Sequence, residues 1–142
     1  MDVARLVLFL HIIGAVAMGF YLVVPFVVGK IGSLSNGAKE GTLSAIGTLN
    51  RYAQIGLVIQ LLTGGYLISE GNYSVAWMIV VFILFLAIAA IGGMMGKPLR
   101  TAITAIRSGS AAAEVGRLRG MSSLLAICLL LILFFMVYRH II

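Results

Sequence analysis

The chain has 142 residues, of which 62% are hydrophobic and 10% are charged, and its net charge is +6. A soluble domain carries roughly 25% charged residues and needs them to cover its surface. This composition therefore excludes a soluble domain and predicts an integral membrane protein. The single cysteine, Cys128, excludes an internal disulfide framework and a cysteine-rich metal knuckle.

Four apolar runs divide the sequence. Each is close to the ~20 residues that an α-helix needs to cross about 30 Å of hydrocarbon. Lipid offers no partners for backbone N–H and C=O groups, so the runs are predicted to be helices. The predicted fold is all-α: a single transmembrane domain, residues 1–142, that forms an up-down-up-down four-helix bundle. The spans cover about residues 3–28, 52–69, 75–96 and 121–138, with long connections at 29–51 and 97–120.

The first span contains Pro25, whose ring removes a helical hydrogen bond and predicts a kink. The connection that follows, "GKIGSLSNGAKEGTLSAIGTLN", is rich in Gly, Ser and Thr, which predicts a flexible loop with a late helical turn. The second span ends in "TGGYLISEGN", where two glycines permit close helix packing. Only residues 71–74 separate it from the third span, so these two spans are predicted to form an antiparallel hairpin.

The third span begins beside an aromatic cluster typical of a membrane interface, made up of Tyr66, Tyr73 and Trp77. It closes with "GGMMG", in which Gly92 and Gly96 have the spacing of a small-residue packing face. Pro98 is predicted to stop this helix. The next segment, "LRTAITAIRSGSAAAEVGRLRG", places basic residues among alanines and isoleucines, which predicts one or two interfacial helices.

The basic residues are distributed unevenly between the two ends of the predicted bundle. Eight lie in the two long connections, and only Arg5 and Arg139 lie near the opposite face. The positive-inside rule then predicts cytoplasmic connections and an N-out, C-out topology. Anionic lipids of the inner leaflet are the predicted partner for these cations, which disfavours a nucleic-acid partner. The eight residues are Lys30, Lys39, Arg51, Lys97, Arg100, Arg107, Arg117 and Arg119.

A histidine interrupts the first apolar run, in the stretch "FLHIIGAVAMGF". The helical rise of ~1.5 Å per residue places His11 roughly 12 Å from the start of the span, in the outer half of the bilayer. The same counting brings three polar or thiol side chains to about this depth from other spans. These predicted neighbours are Gln60, Thr63 and Cys128.

Three interpretations of His11 remain open. In the structural one, the imidazole packs inward and forms a hydrogen bond with Gln60 or Thr63. In the second, His11 ligates a b-type haem inside the bundle, because an ionisable residue within the membrane indicates a functional site. In the third, His11 binds copper together with Cys128 or a methionine. A non-catalytic accessory subunit and a copper-handling protein are therefore the alternatives to haem binding or electron transfer.

The predicted haem site includes His11, Gly14, Ala15 and Met18, which share one face of the first helix. Gly14 and Ala15 leave a shallow slot beneath the imidazole. The sequence shows no evident sixth ligand for the iron. The iron is either five-coordinate, or it is bound by Met18 or by another chain, including a second His11 in a homodimer.

Several motifs resemble those of a group of small bacterial membrane proteins of unknown function that are similar to the CopD-type copper-resistance domain. "FLHIIGAVAMGFYL" resembles their Leu-His-hydrophobic-hydrophobic-Gly-Ala opening, and "LLTGGYLI" resembles the Leu-Thr-Gly turn that closes their second span. "GKPLRTAI" is similar to their Pro-Leu-Arg exit from the third span, and "LLLILFFMVYRH" to their terminal segment. The resemblance covers nearly the whole chain and implies a four-helix protein of the bacterial inner membrane.

A second resemblance is to the HemJ-type protoporphyrinogen oxidases. They share a histidine in the first span and a following Gly-Phe-Tyr-Leu-like segment, which is Gly19-Phe20-Tyr21-Leu22 in this chain. Where those oxidases have Pro-Arg and Tyr-His, this chain has Pro25-Phe26-Val27-Val28-Gly29. The resemblance therefore extends to the intramembrane histidine and not to the oxidase activity.

Overall fold

The computed structural model describes residues 2–109 and 112–142, in which the chain is helical and contains no strand. Four helical segments are long and apolar enough to cross a membrane, which confirms the predicted all-α fold. Ser110 and Ala111, in the predicted connection 97–120, lie outside the described residues. The helices are α1 (Val3–Met18), α2 (Val24–Gly29), α3 (Asn36–Glu70), α4 (Val75–Met94), α5 (Gly96–Ser108) and α6 (Ala112–Val137).

The first span is interrupted, as the proline predicted, but the interruption precedes the proline. α1 ends at Met18, a 3-10 turn covers Gly19–Leu22, and Pro25 lies in the first turn of α2. A proline in the first turn of a helix removes no bond, because the N–H groups there have no helical partner. The chain therefore changes its helical geometry before Pro25.

α3 is much longer than predicted, because it begins at Asn36 and continues without a break for 35 residues. The predicted flexible loop is therefore wrong from Asn36 onward. The hydroxyl of Ser35 caps the helix by accepting the N–H of Ala38 at 3.4 Å. Side chains at helical spacing, from Leu43 to Ala53, are buried on a helix that packs against α5. This burial outweighs the weak helix propensity of the Gly, Ser and Thr residues.

The helices form two antiparallel pairs, α1 with α3 and α4 with α6. In the first pair His11 meets Thr63 and Tyr21 meets Asn50, so the two helices run in opposite directions. In the second, the indole N–H of Trp77 donates to the carbonyl of Phe135 at 2.7 Å. α2 packs against α6, and α5 packs against both α3 and α6. These contacts join the two pairs at one end, and a cleft lies between them toward the chain termini.

The close approach of α1 and α3 depends on two facing glycines. A Cβ on Gly56 would lie 2.9 Å from the carbonyl oxygen of Gly14 and 3.0 Å from the Cβ of Ala17. A Cβ on Gly14 would lie 3.1 Å from the carbonyl oxygen of Gly56. Glycine at both positions therefore allows backbone-to-backbone contact, which is a common way to pack helices where lipid provides no hydrophobic drive.

The predicted packing face of Gly92 and Gly96 is only half correct. A Cβ on Gly92 would lie 2.6 Å from the Tyr21 hydroxyl, whereas one on Gly96 would meet no atom within 4 Å. α4 ends at Met94, whose carbonyl would need the N–H that Pro98 lacks. Pro98 itself is buried in the first turn of α5. The proline thus separates two helices, as predicted, while lying inside the second one.

Large apolar side chains cover the outside of the bundle. Phe26, Val16 and Leu62 expose 74%, 70% and 69% of their surface, respectively, and many others are similarly exposed. Water would penalise such a continuous apolar surface, whereas hydrocarbon is a matching solvent for it. Together with the four apolar helices, this surface indicates a multi-pass membrane protein. The side of the membrane that each end faces stays a prediction.

Candidate functional site

A cleft of about 500 Å³ lies between the two helix pairs, toward the end that carries the chain termini. Its walls come from α1, α3, α4 and α6 and are mostly aliphatic or aromatic. The few polar groups on its surface belong to His11, Gln60, Tyr73, Trp77 and Arg139. An apolar cavity of this size with a few convergent polar groups is typical of a site for a small molecule or cofactor.

The imidazole of His11 is held by a hydrogen bond with Thr63. Nδ1 lies 2.8 Å from the Thr63 hydroxyl, and that hydroxyl donates its proton to the carbonyl of Ile59 at 2.6 Å. A hydroxyl has one proton, so when that proton goes to the Ile59 carbonyl, Nδ1–H of His11 is the donor to the Thr63 oxygen. The proton of the neutral ring is then on Nδ1, and Nε2 carries a lone pair.

Nε2 of His11 has no hydrogen-bond partner among the described residues, and it is not sealed in the interior. The ring lines the cleft and packs over Gly64, where a Cβ would lie 3.4 Å from Cε1. Gln60 also contacts this helix turn, with its amide donating to the backbone carbonyl of His11. The predicted proximity of His11 to Gln60 and Thr63 is therefore present.

The other predicted site residues lie in three different places. Ala15 and Met18 line the cleft with His11, and Met18 is the deeper of the two and is almost fully buried. Gly14 faces α3 at the helix contact and is not part of the cleft wall. Cys128 is buried on α6 and does not line the cleft either.

Arg139 lines the mouth of the cleft and was not among the predicted site residues. Its guanidinium carbon lies 5.8 Å from the ring centre of Tyr73, and its Nε donates to Nε2 of His140 at 3.2 Å. Tyr73 in turn stacks on Trp77, with ring centres 4.7 Å apart. Among the described residues no carboxylate pairs with Arg139, so its terminal nitrogens are available to an anion.

A second buried polar cluster lies nearer the basic end of the bundle. The Tyr21 hydroxyl donates to Oδ1 of Asn50 at 2.6 Å, and the Asn50 amide donates to the carbonyl of Gly92 at 2.9 Å. The amide of Gln54 donates to the Tyr21 oxygen at 3.1 Å. These three hydrogen bonds tie α3 to the 3-10 turn and to α4.

In the described part of the chain, no three His, Cys, Asp or Glu side chains come close enough together to hold a metal ion.

No family model matches the chain, and no curated protein or solved structure matches it. The resemblances to the CopD-type and HemJ-type proteins stay predictions.

Proposed function

We propose that this membrane protein binds a b-type haem in the cleft and that Nε2 of His11 would hold its iron. The observation that carries the proposal is the setting of the imidazole: His11 lines the cleft, Thr63 bonds to Nδ1, and Nε2 has no hydrogen-bond partner among the described residues. Metal-ligating histidines are usually held in this way, with the second ring nitrogen donating to a fixed oxygen.

A haem suits this site better than a free metal ion. A copper ion needs several protein ligands. Of the predicted partners of His11, Cys128 does not line the cleft, whereas the methionines Met18 and Met136 do. A haem iron already has four ring nitrogens and can be held by one histidine. The imidazole alone is thus a sufficient protein ligand for a haem, whereas copper would require a methionine of the cleft as well.

The cleft also matches the polarity of a haem. The walls from α1, α3, α4 and α6 are apolar and would cover the macrocycle, while Arg139 at the mouth can pair with a carboxylate. Trp77 and Tyr73 close the side beside Arg139. Arg139 would therefore be the residue that pairs with a carboxylate of the haem.

In this proposal the chain supplies binding and orientation. His11 binds, Thr63 fixes the ring, and the aliphatic walls exclude water from the site. A bound b-type haem supplies one-electron redox chemistry, so the protein would serve electron transfer in a membrane. We place it in the bacterial inner membrane, in line with the resemblance of its motifs.

The test is a haemin titration of the full chain in detergent, with His11→Ala and His140→Ala as matched variants. The chain has one tryptophan, Trp77, which lines the cleft and should be quenched by a bound haem. We expect saturable quenching and a shifted Soret band in the wild type and in His140→Ala, and neither in His11→Ala. His140 is exposed and outside the cleft, which makes it the control for a non-specific histidine.

Two outcomes would contradict the proposal. Equal haemin binding by His11→Ala and the wild type would show that the imidazole is not the ligand. An absence of binding by a folded wild-type protein would leave His11 as a structural group in an accessory subunit. Stoichiometric copper in the purified protein, lost in both His11→Ala and Cys128→Ser, would favour the copper-handling alternative instead.

A further inference from the structure

A second cavity, of about 480 Å³, lies at the basic end of the bundle, away from the end that holds the cleft. It is enclosed by the end of α2 and the turn after it, the start of α3, the end of α5 and the start of α6. Its surface is much more polar than that of the cleft. The residues that give it its chemical character are Gly29, Asn36, Lys39 and Arg119.

Two cations line this cavity, and neither is neutralised by the protein. Lys39 and Arg119 form no ion pair or side-chain hydrogen bond with any described residue. The nearby carboxylate of Glu40 is already bonded to Arg107, whose Nε donates to it at 2.7 Å. Glu114 does not line the cavity. The net charge of the cavity wall is therefore positive.

The guanidinium of Arg119 lies against Gly29, at the end of α2. Its guanidinium atoms lie 3.6–3.7 Å from where a Cβ of Gly29 would be, which places the group directly over the end of α2. Lys39 is half-buried in the second turn of α3 and reaches the same cavity from another helix. The two cations thus come from different helices and line one cavity.

The start of α3 adds to the positive character of the cavity. Asn36, the first residue of this helix, lies on the cavity wall. Ser35 accepts the N–H groups of Ala38 and Lys39, whereas those of Asn36 and Gly37 have no partner among the described residues, and the helix dipole makes this end electropositive. An oxyanion in the cavity could therefore accept hydrogen bonds from the backbone as well as from Lys39 and Arg119.

We propose that this cavity binds one phosphate group through Lys39 and Arg119. The phosphate could be carried by an anionic phospholipid or by a soluble phosphate compound, and the chemistry of recognition is the same. The location favours the lipid: Gly29 ends an apolar span, so the cavity lies at the depth of the headgroups. Basic pockets between transmembrane helices are known to hold anionic headgroups in this way. This site is independent of haem binding.

Native mass spectrometry of the full chain, with phosphatidylglycerol or phosphatidylcholine added to the detergent, tests the proposal. We expect one phosphatidylglycerol to be retained in preference to phosphatidylcholine. Lys39→Gln and Arg119→Gln should each weaken retention about tenfold or more, because each removes a charge-assisted hydrogen bond. Lys97→Gln and Arg100→Gln remove the same charge from exposed positions outside the cavity and should leave retention unchanged.

A parallel titration with inorganic phosphate distinguishes the two sources. If phosphate binds saturably and depends on Lys39 and Arg119, while no phosphatidylglycerol is retained, the site holds a soluble phosphate. Equal losses of lipid in the cavity and control variants would overturn the proposal, because they indicate a diffuse attraction to the basic surface. Absence of both lipid and phosphate binding would also overturn it. His11→Ala should bind the lipid normally, so failure of this proposal and failure of haem binding are separable.

Discussion

Nδ1 of His11 and the hydroxyl of Thr63 form a hydrogen bond of 2.8 Å across the contact between α1 and α3. The same hydroxyl lies 2.6 Å from the carbonyl of Ile59, which can only accept, so a neutral ring that donates from Nδ1 satisfies both contacts of the hydroxyl. One threonine therefore links the packing of two helices to the availability of Nε2 in the cleft.

Thr63→Val should weaken haemin binding without abolishing it. Valine has nearly the shape of threonine but no hydroxyl, so Nδ1–H loses its acceptor and the ring is no longer held. Loss of such a supporting hydrogen bond typically costs about 10- to 100-fold in affinity. The measurement is a haemin titration, with Thr104→Val as the control because the Thr104 hydroxyl bonds only to Arg100 on an exposed face. An unchanged affinity in Thr63→Val would show that Thr63 does not orient the ligand.

Gly56→Ala should destabilise the protein, whereas Gly47→Ala on the same helix should not. The added methyl at residue 56 would lie 2.9 Å from the carbonyl oxygen of Gly14, whereas one at residue 47 meets no atom within 4 Å. We expect Gly56→Ala to lower the free energy of unfolding by about 1–3 kcal/mol, because the added methyl overpacks the helix contact. Gly47→Ala should raise the free energy of unfolding by about 0.5–1 kcal/mol, because alanine has a higher helix propensity than glycine. Thermal unfolding in detergent measures both, and equal effects would refute a tight glycine contact between α1 and α3.

Tyr21→Phe should destabilise the protein by about 1 kcal/mol, because Oδ1 of Asn50 loses its donor and the amide of Gln54 loses its acceptor. Tyr52→Phe is the matched control, since the Tyr52 side chain is exposed and has no hydrogen bond to a described residue. Urea or thermal unfolding of both variants checks the difference. If the two substitutions lower the free energy of unfolding equally, the hydrogen bonds of the buried cluster do not stabilise the protein.

A reporter fused to the C-terminus should behave as extracytoplasmic, because eight basic residues lie at the opposite end of the bundle. The same reporter inserted after Gly109, between α5 and α6, should behave as cytoplasmic. The reverse pattern would invert the topology. It would also move the phosphate cavity to the outer leaflet, where anionic lipids are scarcer.

Much of the fold was accessible from the sequence, because hydrocarbon imposes simple rules on length and polarity. Apolar run length predicted four helices, and counting the helical rise placed His11 at the depth of Gln60 and Thr63. Both residues do contact the His11 turn. Depth is set by position along a helix, so residues of different helices can be matched in depth without knowing the packing.

The rest depends on packing angles, which the sequence does not reveal. The sequence places Asn50 in the connection 29–51, whereas in the structure it lies inside α3, which begins at Asn36. Its hydrogen bond with Tyr21 depends on that longer helix. Gly14 was expected beneath the imidazole, but the rotation of α1 turns it toward Gly56. The sequence contains one indication of a role for Arg139, a cation near the interfacial aromatic residues. That Arg139 lines the cleft follows only from the separation of the two helix pairs in the structure.

The most direct test of the central claim asks whether a histidine nitrogen is bonded to the iron. It uses pulsed electron paramagnetic resonance of the ferric haem complex, made with nitrogen-15-labelled histidine and unlabelled haem. We predict a nitrogen-15 hyperfine coupling from one axial imidazole in the wild type and in His140→Ala, and its loss in His11→Ala. A labelled coupling that survives in His11→Ala, or a wild-type complex without one, would contradict ligation of the iron by His11.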